Sequence, residues 1–117
     1  MQNLNQIRAY SAFSLHNAPI SGKKGGEVVK KIPPLIMNNG LLATLAYALD
    51  QPQAWKTIFN TIADHLASPE IAIVPADRVN DTETLIEYLT SPGTSSDVLR
   101  NATDETMAWL EYARRFI

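Results

Sequence analysis

The chain contains no cysteine, which excludes structural disulfides and any thiolate zinc site and fits a reducing compartment. Histidine is scarce. His16 and His65 are the only two, and neither stands in a His-Glu-x-x-His arrangement. His65 and the adjacent Asp64 point to different helical faces, so both histidines are expected at the surface or the edge of the core rather than as ligands. No Ser, His and Asp grouping carries a local nucleophile signature, and the Gly-Lys-Ser/Thr ending of a Walker loop is missing. The first twenty residues lack a compact apolar run behind a basic start, so the chain is expected to remain cytoplasmic. Charge is absent from Ile32 to Leu49, a stretch close in length to a membrane span. Pro33, Pro34, Asn38, Asn39 and Gly40 interrupt that run, because the amides are expensive in lipid. A buried core helix is the better reading, and no membrane partner is expected.

A chain of 117 residues suits one domain over its full length, 1–117, with a core that needs no disulfide or metal staple. Its periodicity is helical. Ala9, Ala12, Phe13 and His16 predict a first helix from about Asn3 to Asn17. Val28, Leu35, Leu42 and Leu49 recur every seven residues with Ile32, Ile36, Ala43 and Ala46 beside them, predicting one long second helix from about Glu27 to Leu49. Pro33 and Pro34 mean that this helix either starts near Ile32 or bends. Asp50 and Pro52 read as the start of a third, whose stripe of Trp55, Ile58, Phe59, Ile62 and Leu66 is the cleanest in the sequence. Asn80 with Glu83 reads as a capping pair for a fourth helix, with Leu85, Ile86 and Leu89 at core positions and Ser91-Pro92-Gly93 as its end. Thr103, followed by Asp104 and Glu105, reads as the cap of a last helix whose Trp109, Ala113 and Phe116 share a face. Ile71 to Val74 lies between prolines and reads as loop. The expected fold is therefore all-α, a compact bundle of about five helices.

Charge is distributed unevenly along the chain. Residues 1–56 carry Arg8, Lys23, Lys24, Lys30, Lys31 and Lys56 against two acids, a net of +4, whereas residues 57–117 carry a net of −6. Such a dipolar chain suits stacking on copies of itself or on a neighbour, and it concentrates positive potential where a polyanion can lie. Gly22-Lys23-Lys24-Gly25-Gly26 is the loop with phosphate-binding character, since glycines admit close backbone approach and lysines supply charge. It contains the short Gly-x-x-Gly pattern that clamps RNA backbone in KH domains, without the strands of that fold. With Lys30 and Lys31 one to two turns further on, four lysines form a candidate strip for a nucleic-acid backbone, giving affinity without sequence choice. Asp77, Asp81 and Glu83 surround a predicted helix start and are read as dipole partners rather than a metal site. Asn38, Asn39 and Gly40 are read as close helix packing with amide hydrogen bonds, and Trp55 and Trp109 as packing residues.

Three segments carry a family likeness. Asn3-Leu4-Asn5-Gln6-Ile7-Arg8-Ala9-Tyr10, the run from Lys30-Lys31-Ile32-Pro33-Pro34 through Asn38-Asn39-Gly40-Leu41 to Tyr47, and Thr103-Asp104-Glu105-Thr106-Met107-Ala108-Trp109-Leu110 through Phe116 occur in order along nearly the whole chain. Together they resemble the small subunit of the Cmr complex, the type III-B CRISPR effector that targets RNA. Ser68 to Thr94 carries no part of the match. The resemblance implies a non-catalytic subunit in antiviral defence that stacks with copies of itself and other Cmr subunits beside the guide RNA and the target RNA. No catalytic residue, cofactor or metal is implied. Lys23, Lys24, Lys30 and Lys31 are the leading RNA-binding candidates, with Arg100, Arg114 and Arg115 as additions. The alternatives are a helical protein adaptor without RNA contact, a small nuclease, and a type III-A small subunit. The Asn-Gly-Leu and Trp-Leu matches favour type III-B over the last.

Overall fold

The computed structural model describes residues 2–16 and 23–117, and for residues 23–25 the backbone alone. Six helices and no strand occur among the described residues: α1 (Leu4–Phe13), α2 (Lys23–Asn39), α3 (Leu41–Leu49), α4 (Gln53–Ala67), α5 (Thr82–Thr90) and α6 (Ser96–Phe116). The all-α expectation holds, and the expected long second helix is two helices.

The break falls at Gly40, not at the prolines. Gly40 adopts φ 87° and ψ 164°, a conformation open in practice only to glycine, and redirects the chain between α2 and α3. Its amide still donates to the Ile36 carbonyl, while the Thr44 hydroxyl returns to the Gly40 carbonyl at 2.9 Å. A side chain there would meet nothing within 4 Å, so glycine is required for its backbone angles rather than for close packing. Asn38 and Asn39 are exposed, which corrects the reading of them as packed amides. Pro33 and Pro34 lie inside α2 and remove the bonds that would reach the Val29 and Lys30 carbonyls. Burial of Val29, Ile32 and Ile36 on one side of α2 opposes that loss.

Helix α4 is the hub, packing against the other five. Its stripe of Trp55, Ile58, Phe59, Ile62 and Leu66 is buried as its spacing predicts. One hydrophobic cluster draws on all six helices, with Trp109 and Phe59 its largest fully buried side chains. Trp109 also donates from Nε1 to the Ser11 hydroxyl at 3.0 Å, tying α6 to α1.

Several helix ends differ from their predicted positions. Helix α1 is capped by Asn3, with a reciprocal bond from Gln6, and ends at Phe13 rather than Asn17. Pro52 is the residue before α4, and Asp50 closes α3. Helix α5 is capped by Asp81 and Thr84 rather than Asn80 and Glu83, although the Thr84 hydroxyl accepts from the Asn80 amide as well. The largest correction is α6, which starts at Ser96 with Ser95 as its cap, so Thr103 lies inside the helix and bonds back to the Leu99 carbonyl. Ile71 to Val74 is loop, fastened where the Ile73 and Val74 amides donate to the Leu66 carbonyl. No helix among the described residues is long and apolar enough to cross a membrane.

Candidate nucleic-acid interface

The buried side of α2 decides where its cations point. With Val29, Ile32 and Ile36 inside, Lys30 and Lys31 are turned outward and exposed. At the end of α6 the same logic operates: Trp109, Leu110 and Ala113 are buried, leaving Arg114 and Arg115 exposed in the last turn, where they complement the helix dipole. Because α2 packs on α6, these pairs meet. Lys30, Arg114 and Arg115 line a shallow cleft of about 520 Å³ together with Val29, Pro33 and Pro34.

A second groove, of about 870 Å³, lies on the other side of the Lys30 and Pro34 ridge. Lys31 enters it, with Val28 and Leu35 from α2 and Tyr47 and Trp55 from the α3 and α4 junction. The Tyr47 and Trp55 rings meet edge to face, with centroids 5.4 Å apart and planes at 76°.

Four of the seven candidate cations therefore line two adjoining clefts. Arg100 does not join them: it pairs with Asp97 at 2.9 Å, and at 1.5 Å per residue it lies about 21 Å along α6 from Arg114. Arg114 also has Glu111 within 3.8 Å. Lys23 and Lys24 belong by backbone to the first turn of α2, so the expected glycine loop is helical from Lys23 onward. Their side chains, and Gly22, lie outside the described residues.

Sequence reasoning missed a buried polar network. Glu105 receives a two-pronged contact from Arg8, Nε to Oε2 at 2.7 Å and Nη2 to Oε1 at 2.8 Å, and its Oε2 also lies 2.9 Å from His65 Nε2. Side-chain exposure is 19% for Arg8, 8% for Glu105 and 1% for His65. Burial pushes the Glu105 carboxyl up, but the hydrogen bonds from Arg8 and His65 and the charge of Arg8 outweigh it and hold the group below its ordinary value. Burial, joined by the charge of Arg8, holds the His65 imidazole below its ordinary value against the opposing pull of Glu105. The His65 contact is thus a hydrogen bond from a neutral ring, and an ionised acceptor requires the proton on Nε2. The network joins α1, α4 and α6 and places three hydrogen bonds on the carboxylate, an arrangement suited to holding helices together. Among the described residues no group of three or more His, Asp or Glu is placed to hold a metal ion.

Residues 5–117 match the model of the CRISPR-associated protein family Cas_Cmr5. The chain belongs to that family. It is therefore a Cmr small subunit of type III-B, as the three sequence segments indicated, and has other Cmr subunits as its partners. The fold of this Cas_Cmr5 chain is similar to the crystal structure of a CRISPR-associated Cmr5 family protein from Thermus thermophilus, with a TM-score of 0.73 and 23% identity over 98% of this chain and 95% of that one. A comparison with curated proteins found no matching relative.

Proposed function

We propose that this Cmr small subunit is a non-catalytic, cytoplasmic scaffold that stacks along the effector with copies of itself and holds the backbone of guide and target RNA during antiviral defence. The observation that carries the reading is the convergence of Lys30 and Lys31 from α2 with Arg114 and Arg115 from α6 on one edge of the molecule. Cations along an edge neutralise phosphates without reading bases, so sequence selection falls to guide pairing. The opposed charges of the two halves of the chain support stacking. The engagement of Glu105 by both Arg8 and His65 supports a structural rather than catalytic use of the buried acid.

The test is a charge reversal of Lys30, Lys31, Arg114 and Arg115 to Glu, with RNA binding followed against salt concentration. The reversed protein, shown to be folded, is expected to bind RNA at least tenfold more weakly and with a flatter salt dependence. Unchanged binding would sink the assignment and favour the adaptor. Reversing Arg100 alone is expected to change little, because its guanidinium is paired and distant from the clefts.

A further inference from the structure

The groove beside the lysines has a chemistry that backbone holding does not use. Its floor is Trp55, 5% exposed, and its accessible wall is Tyr47, 49% exposed and set at a steep angle to the indole. Leu35 supplies an apolar side, the exposed Asn38 amide offers both donor and acceptor, and Lys30 and Lys31 stand at the rim. Glu27 is the one acid in the lining. A flat apolar face, an amide edge and rim cations match a planar heterocycle attached to phosphate. Lys30 belongs equally to the Arg114 and Arg115 cleft, so a polyanion crossing that ridge places its neighbouring groups over the groove.

We propose that this groove is a seat for a single unpaired nucleobase, stacked against Tyr47 above Trp55, with the flanking phosphates on Lys30 and Lys31. The inference rests on the RNA-backbone reading above and adds a base-dependent site to it. Tyr47 is the stacking platform and Trp55 closes the bottom. The Asn38 amide faces the base edge and confers a preference without fixing one base. A docked acidic peptide with an aromatic side chain is the competing occupant. It is disfavoured because the cations continue past the groove into the next cleft, as a repeating anion requires and a single acidic side chain does not.

The experiment is proton–nitrogen NMR of the full chain titrated with an adenosine RNA hexamer and, separately, with an abasic ribose-phosphate hexamer of the same charge. The two indole signals give an internal control, since Trp109 is fully buried and bonded to Ser11. The adenosine hexamer is expected to move the Trp55 indole and leave that of Trp109 in place, whereas the abasic hexamer moves only backbone amides near Lys30 and Lys31. Tyr47→Ala is expected to weaken adenosine-hexamer binding about tenfold without affecting the abasic one, and Tyr47→Phe to retain it. Equal binding of both hexamers with a still Trp55 indole would overturn the base seat and leave the backbone reading standing. Binding of neither would overturn both. An acidic aromatic peptide that moves the Trp55 indole where the hexamers do not would make the groove a peptide site.

Discussion

Replacing Glu105 by Gln keeps the shape of the side chain and removes its charge, leaving the Arg8 guanidinium partly buried without a counterion. Breaking a buried ion pair from one side costs about 3–5 kcal/mol, and the fifth of Arg8 that still meets water places this case at the lower end, about 3 kcal/mol. For a domain of this length each kcal/mol corresponds to about 4 °C, so the melting temperature should fall by about 12 °C. Circular dichroism melts of E105Q, R8M and the double variant give the coupling directly. Because R8M removes the orphaned charge, the double variant should be more stable than the two single losses predict, by about 1–2 kcal/mol. The pH dependence follows from the same contacts. The Glu105 carboxyl is held below its ordinary value of 4.5, so its contribution is complete above that pH and is lost as pH falls further through the folded value. His65 is held below 6.5, so folding favours its neutral ring and stability falls as pH drops beneath 6.5. In E105Q the step below 4.5 should shrink while the one beginning at 6.5 persists. A loss under about 1 kcal/mol, or strict additivity of R8M and E105Q, would refute the assignment of the network as a helix clamp.

Gly40→Ala should cost about 1–3 kcal/mol from backbone strain alone, since the space beside Gly40 is open, and urea unfolding with an unchanged m-value would register it. Full stability in G40A would show that the α2 to α3 junction relaxes to another conformation. Asp81→Ala should cost about 1 kcal/mol through loss of the bond to the Thr84 amide. Thr84 holds the Asp81 carboxyl below its ordinary value, so that cost should be present at neutral pH and vanish in acid as Asp81 is protonated, which paired melts of wild type and D81A would detect.

The helices were readable where one face faces the core, and the capping errors arose where adjacent residues compete for one role. Asn80 and Asp81 both have cap-competent side chains and both donate backbone amides to Thr84, so spacing alone leaves a one-residue ambiguity. The error at Thr103 has a different origin. Asp104 and Glu105 resemble the acids of a first helical turn, yet Glu105 is acidic because Arg8 and His65 meet it from two other helices. His65 is expected from the sequence at the surface or the edge of the core, and its bond to Glu105 is hidden for the same reason. His65 follows Ile58 by seven residues and Ile62 by three, so it borders the buried stripe, and the helices packed around α4 cover that border. Such partners are far apart in the sequence, and no local pattern announces them.

The seven-residue repeat of Val28, Leu35, Leu42 and Leu49 shows how a correct pattern can carry a different meaning. These side chains are only half-buried, while Val29, Ile32, Ile36, Leu41, Leu45 and Ala48 take the fully buried positions, and Ala43 and Ala46 are exposed. One face of an unbroken helix cannot serve both sets. The turn at Gly40 separates two shorter helices, each with its own buried face. Val28 and Leu35 thereby become walls of the groove that Tyr47 and Trp55 complete. Packed against α6, α3 and α4, helix α2 still leaves Val28 and Leu35 half-buried beside the exposed lysines. A proline-bearing helix charged in its first half and uncharged from Ile32 on is thus compatible with a core helix and with an RNA-facing edge at once. Lys30, on the ridge between the two clefts, is the residue through which a backbone contact and a base contact would be felt together.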